Sequence, residues 1–189
     1  GAVSVKVYAA MNLSDNYFQL FQLPHSFQLD LAELKGRYRR LQLELHPDKH
    51  ASSDSLLHRL SVQLTAQLNQ AFDTLKSPLK RAEYMLGLSG HEVDFNSTTH
   101  QDGAFLMQQM EWREELAEVS EQADPLSALE SLEDEINQAT KKDVEQLTSL
   151  LKSEQDEANL KAADVIRQLK FLNKMMAEIS LKEDSLSDF

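Results

Sequence analysis

The stretch Leu45-His46-Pro47-Asp48-Lys49 lies between two segments whose apolar residues recur with helical spacing. Proline does not fit a helix interior, and it drives the residue before it, His46, toward an extended conformation. The upstream helix must therefore end here. His46 and Asp48 are left at a tight turn between two helices.

The upstream helix is amphipathic and basic. Its apolar residues recur at steps of three and four and form one stripe: Leu31, Leu34, Tyr38, Leu41 and Leu45. We expect Asp30 to cap this helix, with Glu33 reaching back to complete a capping box. The basic residues of the same helix are Lys35, Arg37, Arg39 and Arg40. A charged helix face is usually only solvated, but this face directly precedes the turn, which favours docking of a partner.

The downstream helix pairs with the first. Ser53 or Asp54 is a suitable cap. The apolar stripe that follows is Leu57, Leu60, Leu64, Leu68, Ala71 and Leu75. Because neither helix is stable alone in water, we expect an antiparallel pair packed stripe to stripe. Ser77 and Pro78 are a suitable start for a further helix, which Gly87 and Gly90 end.

Three features of this half resemble the J-domain, the module by which co-chaperones stimulate the ATPase of seventy-kilodalton heat-shock chaperones. They are the opening Tyr17-Phe18-x-Leu20-Phe21-x-Leu23, the His-Pro-Asp turn after a basic helix, and Asn69-x-Ala71-Phe72-x-x-Leu75 followed by Pro78-x-x-Arg81-x-x-Tyr84. The resemblance implies chaperone binding through the turn and the basic face: His46, Pro47, Asp48, Lys35, Arg37, Arg39 and Arg40. Leu45 departs from the family pattern, because many J-domains have an aromatic residue there, and Gly36 weakens the helix.

Composition narrows the class of protein. The chain has no Cys, which excludes disulfides and thiolate metal sites and fits a reducing cytoplasm. No apolar run approaches the roughly 18–20 residues that span a membrane, and the N-terminus lacks the layout of a signal peptide. Gly and Pro are scarce and helical periodicity is extensive, so we expect an all-α, cytoplasmic protein.

Charge divides the chain into two halves. Residues 15–90 carry nine Lys and Arg against eight Asp and Glu, whereas residues 91–189 carry nine against twenty-three, within a net charge of −12. Such asymmetry suggests two domains with different partners. The acidic half is unsuited to nucleic acid, because phosphate binding needs clustered cations.

We therefore predict four segments. Residues 1–14 are an added leader and N-terminal tail, with Met11 as the native start. Residues 15–90 form the J-domain, 91–101 a polar linker, and 102–189 an antiparallel three-helix bundle. The first bundle helix begins near Asp102. The second starts at Asp124-Pro125 and runs to about residue 155, with Leu126 opening its apolar stripe. The third runs from about residue 156 to 181, with Leu160, Ala163, Ile166, Leu169, Leu172 and Met176 on one side.

The sequence gives little support to the hypothesis that the protein is an enzyme. His46, His50 and His58 are neighbours in sequence, and a small metal-dependent hydrolase would use them, but Pro47 prevents the first two from sharing a helix turn. No nucleophile motif and no phosphate-binding glycine loop occurs. We predict no catalytic site, no metal and no cofactor. A coiled-coil adaptor is disfavoured by the short, interrupted heptads.

The second half resembles the C-terminal domain of HscB-type co-chaperones of iron–sulfur cluster assembly. The resemblance rests on the runs 102–116 (DGAFLMQQMEWREEL) and 165–174 (VIRQLKFLNK), and together with the J-domain it covers residues 15–189. It implies two partners, an HscA-type chaperone and an IscU-type scaffold protein. The scaffold-binding residues that it implies are Leu106, Met107, Met110, Glu111, Glu114, Glu118 and Phe171. On helical spacing alone the apolar members would be core residues, and a J-domain co-chaperone with a different client is the alternative.

Overall fold

The computed structural model describes residues 12–46, 55–91 and 102–188. These residues form helices without any strand, which confirms the all-α prediction. The helices are α1 (Tyr17–Leu20), α2 (Leu31–Leu45), α3 (Ser55–Lys76), α4 (Pro78–Leu88), α5 (Gly103–Glu118), a 3₁₀ helix (Val119–Glu121), α6 (Pro125–Leu150) and α7 (Asp156–Ser187). The predicted leader, the caps Ser53 and Asp54, and nearly all of the linker lie outside the described residues.

The chain divides into two compact units, Gly1–Tyr84 and Met85–Phe189. The predicted boundaries at residues 90 and 101 remain predictions. In the first unit, α2 ends at Leu45 and His46 has φ −56° and ψ 126°, the extended conformation expected before a proline. Asp30 caps α2 by accepting from the amides of Ala32 and Glu33 at 3.0 and 3.2 Å. Glu33 does not complete the predicted box; its carboxylate pairs with Arg37 at 2.6 Å instead.

The α2–α3 pair packs through its apolar stripes, as predicted. Leu34 and Leu45 of α2 are fully buried, as are four residues of α3: Leu64, Leu68, Ala71 and Leu75. Tyr38 stacks on Phe72 with ring centroids 4.0 Å apart. The stripe predictions were wrong for Leu31 and Leu57, which are exposed because each lies in the first turn of its helix.

The first unit is closed by contacts between distant segments. Tyr17 in α1 stacks on Tyr84 in α4 with centroids 4.4 Å apart, and the Tyr17 amide donates to the Tyr84 hydroxyl at 3.0 Å. The buried Arg81 donates to the carbonyl of Leu75 at 2.6 Å and lies 4.9 Å from the centre of the Phe27 ring. The aromatic and basic residues that carry the J-domain resemblance in α4 thus have structural roles.

The second unit is the predicted three-helix arrangement of α5, α6 and α7. Asp102, Asp124 and Pro125 begin helices as expected. Its core is formed by Trp112, Val119, Leu129, Leu132, Ile136, Leu172, Met175 and Ile179. Two helix ends differ from the prediction: α6 stops at Leu150 rather than near residue 155, and α7 continues to Ser187 rather than residue 181.

The buried face of α7 agrees with the predicted one except at Leu160 and Met176. Leu160 was predicted to be apolar core, but it is 65% exposed, and the neighbouring Asn159 is buried instead. Met175 is fully buried where Met176 was expected. Leu126 of α6, also predicted to be buried, is exposed in the first turn of its helix. Ala163, Ile166, Leu169 and Leu172 are buried as predicted, and Ala162 and Val165 are buried beside them.

Asp143 interrupts the apolar stripe of α6 between Ile136 and Leu147. It is only 5% exposed, and its Oδ2 atom has no hydrogen-bond partner. Burial raises the pKa of Asp143 to about 6, and the positive charge of Lys142 opposes this only in part. An acid with a raised pKa in the folded state favours folding when it is protonated. Asp143 therefore weakens the bundle at neutral pH.

We expect Asp143→Asn to raise the free energy of unfolding by about 1 kcal/mol at pH 7.5, since the amide removes a buried charge. In the wild-type protein, Asp143 should destabilise the bundle less as the pH falls from 7.5 to 5. The reason is that its carboxyl group becomes protonated through the raised pKa of about 6. Urea unfolding of both proteins at pH 7.5, 6 and 5 measures this. The difference in free energy of unfolding between the wild-type protein and Asp143→Asn should become smaller toward pH 5. The exposed Asp134→Asn, on the same helix, is the control, and equal effects of the two substitutions would contradict the account.

Candidate partner-binding surfaces

The His-Pro-Asp turn follows directly from the end of α2. The packing of Leu45 fixes the last turn of that helix, and His46 is exposed immediately after it. Pro47 and Asp48, the other predicted residues of the turn, lie outside the described residues. The structure therefore places the first residue of the predicted site at the surface, at the end of a helix that is held by its core contacts.

The basic face of α2 contains three exposed residues, Lys35, Arg39 and Arg40. This is the arrangement expected for cations that meet an acidic partner, because exposed charges guide association over distances of about a Debye length.

Arg37, which was predicted to be a docking cation with these three, has an internal role. Its Nη1 donates to the carbonyls of Phe21 and Gln22 at 2.8 and 2.7 Å, and its Nη2 pairs with Glu33. Gln22 has φ 53°, in the left-handed region that a residue with a side chain rarely adopts. Arg37 therefore stabilises the strained turn after α1, and its role as a docking cation remains a prediction.

The apolar surface predicted on α5 is exposed. We call Leu106, Met107 and Met110 the α5 patch; these residues are 42%, 64% and 66% exposed. The acids predicted to border it are exposed as well: Glu111, Glu114 and Glu118. Three large apolar side chains together on one helix face, flanked by carboxylates, are typical of a protein-binding surface.

Phe171 of α7 packs against aromatic side chains of α5 that are not part of the patch. Its ring stacks on Trp112 at 6.3 Å and meets Phe105 edge to face at 5.9 Å. It is half-buried and packs against the core of the second unit. The sequence left open whether these apolar residues belong to the core or to a binding surface. Phe171 packs against the core, whereas the α5 patch is exposed.

Polar contacts complete the attachment of α5. The indole nitrogen of Trp112 donates to Glu135 of α6 at 2.9 Å, and Arg113 forms an ion pair with Glu178 of α7. Burial, together with the nearby carboxylates of Glu135 and Glu111, raises the pKa of Glu115. Sequence reasoning assigned no role to Trp112, Arg113, Glu135 or Glu178. The single tryptophan in an otherwise weakly patterned helix was the one available signal, since large aromatic residues usually anchor a helix.

The described residues hold neither a metal-binding cluster nor a membrane-spanning helix. Among residues 12–46, 55–91 and 102–188, no three His, Asp or Glu side chains lie together as metal ligands. His50, a member of the histidine trio, is not among them, and the prediction of no metal remains a prediction. No helix in the described parts of the chain has the length and apolarity to cross a membrane.

Comparison with known families identifies both halves. Residues 16–84 match the model of the DnaJ domain, and residues 101–180 match that of the HSCB C-terminal oligomerisation domain. The helical pair with its exposed turn residue and basic face thus belongs to a J-domain protein of the co-chaperone class. The chain is a member of the HscB family of co-chaperones, as its relatives at nearly half identity show. This family comprises co-chaperones, not enzymes.

Two curated relatives illustrate the similarity. The co-chaperone protein HscB homolog of Pseudoalteromonas atlantica is 48% identical over 174 residues, which is 92% of this chain and 99% of the relative. That of Shewanella pealeana is 49% identical over 173 residues, with the same coverage. Among solved structures, chaperone HscB from Vibrio cholerae has a TM-score of 0.81 at 42% identity, covering 91% of this chain and 99% of that one. Human co-chaperone HscB has a TM-score of 0.82 at 26% identity, covering 92% and 84%.

Substitutions in the α5 patch and at Phe171 should have different effects on stability. We expect Met107→Ala to change the free energy of unfolding by less than about 0.5 kcal/mol, because the side chain is mostly exposed. Phe171→Ala should cost about 2 kcal/mol, because it removes ring contacts with Trp112, Phe105 and Arg113. Urea unfolding followed by circular dichroism measures both. A loss for Met107→Ala as large as that for Phe171→Ala would place Met107 in the core.

Proposed function

We propose that this chain is a co-chaperone of iron–sulfur cluster biogenesis, working in the cytoplasm. Its J-domain stimulates ATP hydrolysis by an HscA-type seventy-kilodalton chaperone. Its C-terminal bundle binds an IscU-type scaffold protein and delivers it to that chaperone. The observation that carries the proposal is the pairing, in one chain, of a DnaJ domain with an HscB C-terminal domain, together with relatives that match almost end to end.

Chaperone binding rests on the turn and the basic face. His46 is exposed at the end of α2, and Lys35, Arg39 and Arg40 present positive charge on the same helix. His46 and Asp48 carry the stimulation, Pro47 stiffens the turn, and the cations accelerate encounter with an acidic surface of the chaperone. Arg37 contributes by holding the turn after α1, through its bonds to Phe21 and Gln22.

Scaffold binding rests on the α5 patch and its acidic border. Leu106, Met107 and Met110 supply an apolar centre whose burial on binding gives affinity, and unbranched Met side chains adapt their shape to a partner. Glu111, Glu114 and Glu118 form a rim that selects a partner with basic residues around an apolar site. Phe171 supports the helix that bears the patch through its contact with Trp112.

The alternative is a J-domain co-chaperone whose bundle binds a different client. Apolar side chains with a carboxylate border favour a protein partner, but they do not by themselves specify a scaffold protein. Pull-down of purified IscU-type scaffold with this chain, compared with Met107→Ala plus Met110→Ala, separates the two candidates. Capture that depends on the patch supports the scaffold, and no capture by the wild-type chain supports another client.

We predict that His46→Gln abolishes stimulation of the chaperone's ATPase while leaving scaffold binding unchanged. His46 lies in the unit Gly1–Tyr84 and the α5 patch lies in the unit Met85–Phe189, so the substitution should not alter the patch. Single-turnover ATP hydrolysis measures stimulation, and isothermal titration calorimetry measures the dissociation constant for the scaffold.

His58→Gln is the matched control, because it makes the same change at another exposed histidine of the first unit. It should keep most of the stimulation. Equal loss of stimulation and scaffold binding in His46→Gln would contradict the separation of the two activities.

A further inference from the structure

The helix that carries the α5 patch has few contacts to hold it. Trp112 is its only buried residue, at 6% exposure, while Phe105 and Leu116 are half-buried. The other bundle helices are more firmly held: α6 buries Leu129, Leu132, Ile136 and Leu147, and α7 buries a longer series. The rotation of α5 about its own axis is therefore determined by a small number of side chains.

Arg113 links α5 to α7 in two ways. Its guanidinium forms an ion pair with Glu178, 65 residues further along the chain. The same guanidinium lies 5.4 Å from the centre of the Phe171 ring, within the range of a cation–π contact. Phe171 in turn stacks on Trp112, the residue next to Arg113. These contacts hold the Phe171 ring against the helix that bears the patch.

We infer that Arg113 and Glu178 are positioning residues for the α5 patch. Arg113 is three residues from Met110, so the ion pair restrains α5 within one turn of the patch. A side-chain tip lies about 5–6 Å from the helix axis, so turning α5 by about 20° would move the patch by about 2 Å. Interfaces pack at the density of protein interiors, so such a shift disrupts complementarity. This inference rests on the proposed function, in which the patch binds the scaffold.

The opposing explanation is that Arg113 touches the partner directly. The two explanations differ in what Glu178 does, because Glu178 lies on α7 and is not part of the patch. If Arg113 acts by positioning α5, removing either member of the pair has the same effect, and removing both adds little. If Arg113 binds the partner, the losses from the two substitutions are independent.

The experiment is a double-mutant cycle on the full chain, with Arg113→Ala, Glu178→Gln and the double variant. Calorimetric titration with a purified IscU-type scaffold gives each dissociation constant. We expect each single variant to bind about fivefold more weakly, and the double variant to be no weaker than the weaker single. Arg113→Lys should recover most of the affinity, because it keeps the charge near Glu178 and Phe171.

Asp164→Asn is the matched control. It breaks the ion pair of Asp164 with Arg167, which is 2.7 Å long and lies within α7, without involving α5. It should leave the affinity unchanged. Unchanged affinity in Glu178→Gln, or losses that add in the double variant, would overturn the inference.

A readout on the free protein separates this inference from the proposed function. Trp112 is the only tryptophan in the chain, so the near-ultraviolet tryptophan circular dichroism reports its surroundings alone. Glu178→Gln should change that signal, and Asp164→Asn should not. If the wild-type chain fails to bind the scaffold, the proposed function fails, but a changed Trp112 signal still supports the positioning of α5 by Arg113 and Glu178. An unchanged Trp112 signal in Glu178→Gln overturns the positioning role of the ion pair, whether or not the scaffold binds.

Discussion

The contact of Trp112 with Phe171 is the interaction on which the candidate scaffold site depends. It gives α5 a single deep anchor in the core formed with α6 and α7. Trp112 is the only buried residue of α5, and the helix leaves large apolar residues at the surface. An amphipathic helix usually buries its apolar stripe. Here the α5 patch lies outside the buried side, and this surplus of exposed apolar area is what suits the helix to binding a partner.

In the first unit, too, packed side chains hold the helices and leave the candidate binding residues at the surface. There, α2 and α3 pack through their apolar stripes, and Tyr84 and Arg81 add contacts between distant segments. The residues proposed to bind the chaperone lie outside this packed core. They are His46 at the end of α2 and the cations on the exposed face of that helix. In both units, the residues proposed to bind partners lie on, or directly after, helices that are packed through buried aromatic and leucine side chains.

Much of the fold could be predicted from the sequence, because caps and prolines act locally. Asp30, Asp102 and Pro125 mark helix starts in the sequence and in the structure. The features that the sequence did not reveal depend on tertiary contacts. Leu160 is exposed while the neighbouring Asn159 is buried, and the internal bonds of Arg37 involve a turn fifteen residues away, which no helical pattern reveals. The exposure of the α5 patch could be expected only from the family resemblance, since periodicity alone favoured burial.

The central claim is that the two units act together on one chaperone. The most direct measurement is single-turnover ATP hydrolysis by a purified HscA-type chaperone, alone, with this chain, and with this chain plus an IscU-type scaffold. The account predicts that the chain accelerates hydrolysis and that the scaffold increases the acceleration beyond the sum of the separate effects. No acceleration by a folded chain would contradict it.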